Sequence, residues 1–169
     1  PKVLFVAPEA APFIKAGGLG EVMFALPRAL ARLGHDVRVM IPRYAGIDLE
    51  KFNLAMEYEG LRVPTDCDSG NENEPSELIC NVRRYDPSGN GRNPVTTYFL
   101  ENLEYYEKRS NIYGYGDDTI RWALLSRGVL EFLKISSWMP DVIIASDWQT
   151  GFLCNYLRTS CRDDDRLAD

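Results

Sequence analysis

Apolar and polar positions fall into blocks of two kinds: short branched runs, and longer stretches that repeat every three to four residues. KVLFVAP (2–8) is a branched apolar run, the pattern of a strand covered on both faces. EVMFALPRALARLGH (21–35) spaces Val22, Ala25, Leu26, Ala29, Leu30 and Leu33 three and four apart, which predicts a helix packed on a sheet. Pro27 predicts a bend or tightened turn inside it, and Gly34 a C-cap. DVRVMIP (36–42) reads as the next strand, closed by Pro42. Strand, helix and strand in so short a span predict a parallel pair with a right-handed crossover.

The middle of the chain is less regular. LAMEYEGLRVP, ELICNVRRYD and VTTYFLEN (95–102) read as strands. TDCDSGNENEP between the first two begins D-x-D, but the spacing of its oxygens does not fit an EF-hand, so it reads as a solvated loop. DPSGNGRNP (86–94) reads as a hairpin tip. NLEYYEKRS predicts a short helix or turn and NIYGYGDD a loop. Residues 117–138 carry Ile120, Ala123, Leu124, Gly128, Leu130 and Phe132 near one helical stripe, with Asp117 or Asp118 as a cap. PDVIIASD (140–147) predicts a buried strand, and WQTGFLCNYLRTS (148–160) a helix with Thr150 at its N-cap. The tail CRDDDRLAD reads as solvated or cut.

Composition narrows the function classes. With 169 residues and 45% hydrophobic content the chain reads as one domain, or one and a fraction, with material for a core. A net charge of −6 offers no basic field for nucleic acid or an anionic membrane. No run approaches the ~18 apolar residues that cross a bilayer, and the opening residues have no signal-peptide pattern. Cys67, Cys80, Cys154 and Cys161 form no CxxC pair and His35 is the single histidine, so a zinc site is not expected. Free thiols in a reducing cytoplasm are the expectation.

Candidate chemistry gathers at two strand-to-helix corners. KAGGLGE (15–21) packs three glycines between the end of one strand and the start of a helix. Open α/β sheets bind ligands at that edge, where helix N–H groups face outward with partial positive charge. Gly17, Gly18 and Gly20 would let a phosphate approach the main chain, with Lys15 adding an ammonium. A tight turn with a solvated lysine explains the same spacing, which is neither GxGxxG nor a P-loop. ASDWQTG forms the second corner, so Glu9, Lys15, the glycines and Asp147 could face one cleft, with Tyr113 and Tyr115 nearby. Carboxylates and rings beside polar loops suit a sugar. The competing readings are helix capping for Asp147, core packing for Trp148 and the tyrosines, and a solvated loop position for Glu9.

The segment KVLFVAPEAAPFIKAGGLGEVMFALPRALARLGHDVRVMIPRY closely resembles the amino-terminal opening of bacterial glycogen synthases and plant starch synthases. YG…DD…RWALLSRGVLEFL and PDVIIASDWQTGFLCNYL match that family in order and spacing, so the resemblance covers nearly the whole chain, 1–169. It implies a Rossmann-like three-layer α/β/α domain with a mostly parallel sheet and a β-hairpin insertion. Such a domain is one half of a two-domain GT-B glycosyltransferase, on the acceptor side. The implied activity is retaining transfer of glucose from ADP-glucose, sometimes UDP-glucose, to the non-reducing end of an α-1,4-glucan. No metal or other cofactor is implied. Lys15 would meet the donor phosphates, Gly17 and Gly18 would present main chain to the donor, and Glu21 stands where the family usually has Asp. Glu9, Tyr113, Asp147 and Gln149 would line the acceptor subsites.

Two departures stand out. The family's HDWH is SDWQ here, so Ser146 and Gln149 replace two histidines and lose their protonation chemistry. The family's catalytic His and donor-binding domain lie beyond Asp169, and the chain begins at Pro1, so a fragment of a longer protein is expected, inactive alone. The alternative is a freestanding maltodextrin- or glucan-binding module without catalysis. A dinucleotide-binding oxidoreductase is disfavoured, because no acidic residue ends the second strand.

Overall fold

The structure, a computed structural model, describes residues 1–66, 75–87 and 94–168. Six strands form one sheet: β1 (Lys2–Val6), β2 (Asp36–Pro42), β3 (Ala55–Pro64), β4 (Glu77–Tyr85), β5 (Thr96–Glu101) and β6 (Val142–Ala145), in the order β3-β4-β5-β2-β1-β6. β1 pairs in parallel with β2 and β6, and β2 with β5, whereas β3–β4 and β4–β5 are antiparallel. The predicted mostly parallel α/β sheet with an inserted hairpin is therefore observed. Residues 67–74 and 88–93, which include Cys67 and the tips of both predicted loops, lie outside the described residues.

Helix α1 (Gly18–Arg32) links β1 to β2, α2 (Asp118–Ile135) links β5 to β6, and α3 (Gly151–Arg158) follows β6. Along the sheet, α1 and α2 carry the chain in opposite directions. Right-handed crossovers then put them on opposite faces, giving three layers. The core runs through Phe5, Val39, Phe99, Leu125 and Leu130, all 2% exposed or less. Leu103–Glu107 forms one π-helical turn capped by Asn102, whose side chain accepts from the Glu104 and Tyr105 amides.

Three expectations are corrected. α1 forms as predicted and runs through Pro27, with Gly34 beyond its end at φ 90°. Its buried residues, however, are Gly20, Met23 and Pro27, while Val22, Leu26 and Leu33 of the predicted stripe face solvent. Periodicity located an apolar stripe, but the face turned inward is the one that carries Gly20, Met23 and Pro27. β6 has the branched composition of a covered strand, yet it is the sheet's edge and Val142 is 48% exposed. The tail is not simply solvated: Cys161 is buried, and Arg166 donates to the Lys134 and Ser136 carbonyls. Among the described residues, no helix is long and apolar enough to cross a membrane.

Candidate functional site

The two corners sit side by side because β1 and β6 are parallel neighbours, paired Val6↔Ala145 at their carboxyl ends. The Ser146 amide continues the ladder to the Val6 carbonyl at 3.0 Å. Ser146 Oγ donates to Met23 Sδ at 3.7 Å, tying the second corner to α1.

Glu9 organises the first corner. It is 2% exposed, and its Oε2 accepts from the Ala16 amide and, at 3.1 Å, from the Gly17 amide. A buried carboxylate satisfied by main-chain N–H groups shapes the turn as an N-cap side chain would. Gly17 is the extended N-cap residue of α1, and the helix start carries no side-chain cap. The helix's next amides, from Gly18 on, are the ones left to face outward, with Gly18 bordering open space. Gly20 serves packing instead, since a Cβ there would lie 2.5 Å from Lys15 Cβ and 3.4 Å from Glu9 Oε2. Its missing side chain lets α1 press on its own loop, a role that the glycine spacing does not reveal. Lys15 is exposed and ion-paired with Glu21, itself exposed.

At the second corner Asp147 is exposed, with φ 68° and ψ 179°, a region that side chains other than glycine rarely adopt. The surroundings over-determine it. Its Oδ1 accepts from the Trp148 amide at 2.7 Å, and its carbonyl accepts from Thr150 Oγ1 at 3.0 Å. Thr150 thus occupies the N-cap position of α3 but makes no side-chain cap there. Trp148 is 64% exposed and meets Trp122 edge-on at 6.5 Å. Gln149 turns inward, 4% exposed, and its Oε1 has no hydrogen-bond partner.

Tyr113 joins the corners. Burial pushes its phenol well above the usual range, and the Glu9 charge, a hydrogen bond to Glu9 and the Asp147 charge push it further. Its ring packs on Trp122 at 6.0 Å. Tyr113 therefore meets Glu9 within reach of the Asp147 charge, and Glu9 connects it to the Ala16–Gly17 turn. Tyr115 instead turns away: its hydroxyl accepts from the Asn111 amide at 3.0 Å, and its ring lies 4.7 Å from the Arg121 guanidinium. That hydrogen bond draws its phenol below the usual range.

Sequence reasoning missed Tyr44 and Arg121. Tyr44, fully buried, donates to the Pro8 carbonyl at 2.7 Å and fixes the exit of β1. Arg121 is buried beneath the Tyr113 loop; its one signal was a charged residue beside the apolar run WALL of α2. Surface hollows lie elsewhere, of about 280 Å³ around His35 and Thr96, about 550 Å³ between Val63, Ile120 and Tyr156, and about 590 Å³ beside Leu157, Arg158 and Leu167. None of these three includes Glu9, Lys15 or Asp147. The candidate site rests on hydrogen bonding and charge at an open edge.

Known proteins share this fold. The family described as starch synthase catalytic domain matches residues 2–169. A glycogen synthase of Clostridium botulinum (strain Eklund 17B / Type B) is 44% identical over 152 residues, covering 90% of this chain and 29% of that protein. A glycogen synthase of Desulforamulus reducens is 35% identical over 168 residues, covering 99% and 32%. The catalytic domain of starch synthase IV from Arabidopsis thaliana, solved bound to ADP and acarbose, superposes with a TM-score of 0.80 at 25% identity, covering 98% of this chain and 31% of that one. The chain thus spans about three tenths of the length of these relatives. On the extent of the family match and the identity to the glycogen synthases, the chain belongs to the starch synthase catalytic domain family.

Proposed function

We propose that this chain is the acceptor-side half of a retaining glucosyltransferase that moves glucose from ADP-glucose to the non-reducing 4-OH of an α-1,4-glucan. The observation that carries the reading is the convergence of Glu9, Tyr113 and Asp147 at the edge that also holds Lys15 and the start of α1. The ADP and acarbose bound to the starch synthase IV domain support a nucleotide sugar and a glucan as ligands.

In this reading the diphosphate meets the outward amides of the first turn of α1 and the Lys15 ammonium. Lys15 must first leave Glu21, an exposed pair of the kind worth about 0–1 kcal/mol, so the exchange costs little. Glu9 holds the turn from behind rather than touching ligand. Asp147 accepts from acceptor hydroxyls, Tyr113 and the exposed Trp148 offer ring faces to the sugar, and Gln149 supports the corner from below. One ammonium and one helix end are too few charges to stabilise a departing diphosphate. The remaining donors belong to the larger part of a protein of the relatives' length, which faces this open edge, and the chain alone transfers no glucose.

The test is transfer of radiolabelled glucose from ADP-glucose to glycogen by a protein of the relatives' length carrying this chain, with its Lys15→Ala variant alongside. The reading predicts transfer by the parent and at least a tenfold loss, about 1.4 kcal/mol, in the variant. Equal transfer by both removes the phosphate role of Lys15, and no transfer by the parent removes the enzyme.

A further inference from the structure

Arg121 lies in the first turn of α2, beneath the Tyr113 loop, and is 0% exposed. A buried guanidinium is expensive unless its donors are used. Here they are spent on one stretch of chain. Nε donates to the Tyr105 carbonyl at 2.8 Å, and Nη1 donates to the Ile112 carbonyl at 2.8 Å and to Asp118 Oδ1 at 2.7 Å. Nη2 has no partner. The Tyr106 hydroxyl returns a bond to the Arg121 carbonyl at 2.6 Å. The guanidinium also lies 4.7 Å from the Tyr115 ring, 4.9 Å from Trp122 and 5.8 Å from Tyr44.

These partners have one thing in common: they bracket Tyr113. Ile112 precedes it, Trp122 packs on its ring, and Tyr44 fixes Pro8, which precedes Glu9. A leucine at position 121 would fill the core at lower desolvation cost but could not bond two carbonyls seven residues apart. We propose that Arg121 is a positioning residue for the acceptor site, pinning the 105–118 loop so that the Tyr113 ring stays packed on Trp122 with its hydroxyl at Glu9. This rests on the reading of Tyr113 as an acceptor contact. Arg121 itself touches no ligand and acts only through the loop.

The test separates pinning from acceptor binding. Hydrogen exchange of the unliganded chain reads the loop, and chemical-shift titration with maltoheptaose reads the acceptor site. In Arg121→Met, amides 112–116 exchange at least about tenfold faster while those of β1, β2 and β5 keep their protection. Maltoheptaose affinity falls about tenfold, and adding Tyr113→Ala to Arg121→Met weakens it no further than Tyr113→Ala alone. Arg121→Lys, which keeps the charge but reaches fewer carbonyls, falls between and carries the test if the Met variant does not fold. Unchanged loop exchange in a folded variant overturns the proposal. So does an affinity loss that adds to that of Tyr113→Ala. A parent without measurable maltoheptaose affinity refutes the acceptor reading, and with it the acceptor role of Arg121, while faster loop exchange would still establish the pinning.

Discussion

Gly18 and Gly20 are two residues apart in the same first turn of α1, and the structure gives the same substitution opposite signs at the two positions. A Cβ at Gly20 would stand 2.5 Å from Lys15 Cβ, more than 1 Å inside the ~3.5–4 Å of normal carbon contact. The obstructing atom is at the root of its side chain, and the Lys15 Cα is itself only 3.4 Å away, so rotation of the lysine does not clear the space. The loop must shift. It is held by Ala16 and Gly17 bonding Glu9, and by the Ala11 amide donating to the Gly20 carbonyl at 3.1 Å. Overpacking of this kind costs about 1–3 kcal/mol, and the better helix propensity of Ala returns up to about 1. A 2.5 Å contact belongs to the upper part of that range, about 2–3 kcal/mol, so the net loss for Gly20→Ala is about 1–2 kcal/mol, which moves a urea midpoint down by about 0.5–1 M for a slope of ~2 kcal/mol/M. Gly18→Ala meets no atom within 4 Å and keeps only the propensity gain, so its midpoint is unchanged or higher. Urea unfolding followed by tryptophan fluorescence measures both. Midpoints moving in the same direction, or a Gly20→Ala midpoint equal to the parent's, would refute the packing role assigned to Gly20.

Asp147→Gly relieves a backbone conformation costing about 1–3 kcal/mol and loses one side-chain bond to the Trp148 amide, so thermal stability is equal or higher while maltoheptaose affinity falls; a less stable variant contradicts the strain. Burial raises the phenols of Tyr44, Tyr106 and Tyr113, so their contribution to stability is complete below the ordinary tyrosine value near pH 10 and is lost as pH rises through the raised folded values. Urea midpoints should fall steeply above about pH 10, and a midpoint as high at pH 11 as at pH 8 rules this out. Tyr113→Phe should flatten part of that fall.

The strands were legible because branched runs bounded by Gly, Pro and Asp have few other solutions, and β2 matches its predicted range, residues 36–42. The sidedness of α1 was not. A stripe of Val22, Leu26 and Leu33 has the right period, but the buried face runs through Gly20, Met23 and Pro27, and at Gly20 the helix presses on its own loop, which a period does not encode. Glu9 read as solvated or ligand-binding because its partners are backbone amides seven and eight residues away, invisible to side-chain patterns. Arg121 was hidden for a related reason: its partners are carbonyls, which every residue has. Gln149 read as a hydrogen-bonding contact, and its residue type carries no sign of the inward turn imposed by the backbone at Asp147.

The level pairing of Val6 with Ala145 has a dimensional consequence. Adjacent strands keep a pitch of about 4.8 Å, so the paired strand ends at Val6 and Ala145 stand one pitch apart, and no loop substitution alters that distance. The sheet acts as a ruler for the two loop roots: it fixes the spacing of the bases from which the loops carrying Lys15 and Asp147 set out. Selectivity among ligands then falls to the loop side chains, while the spacing they start from is set by the main chain.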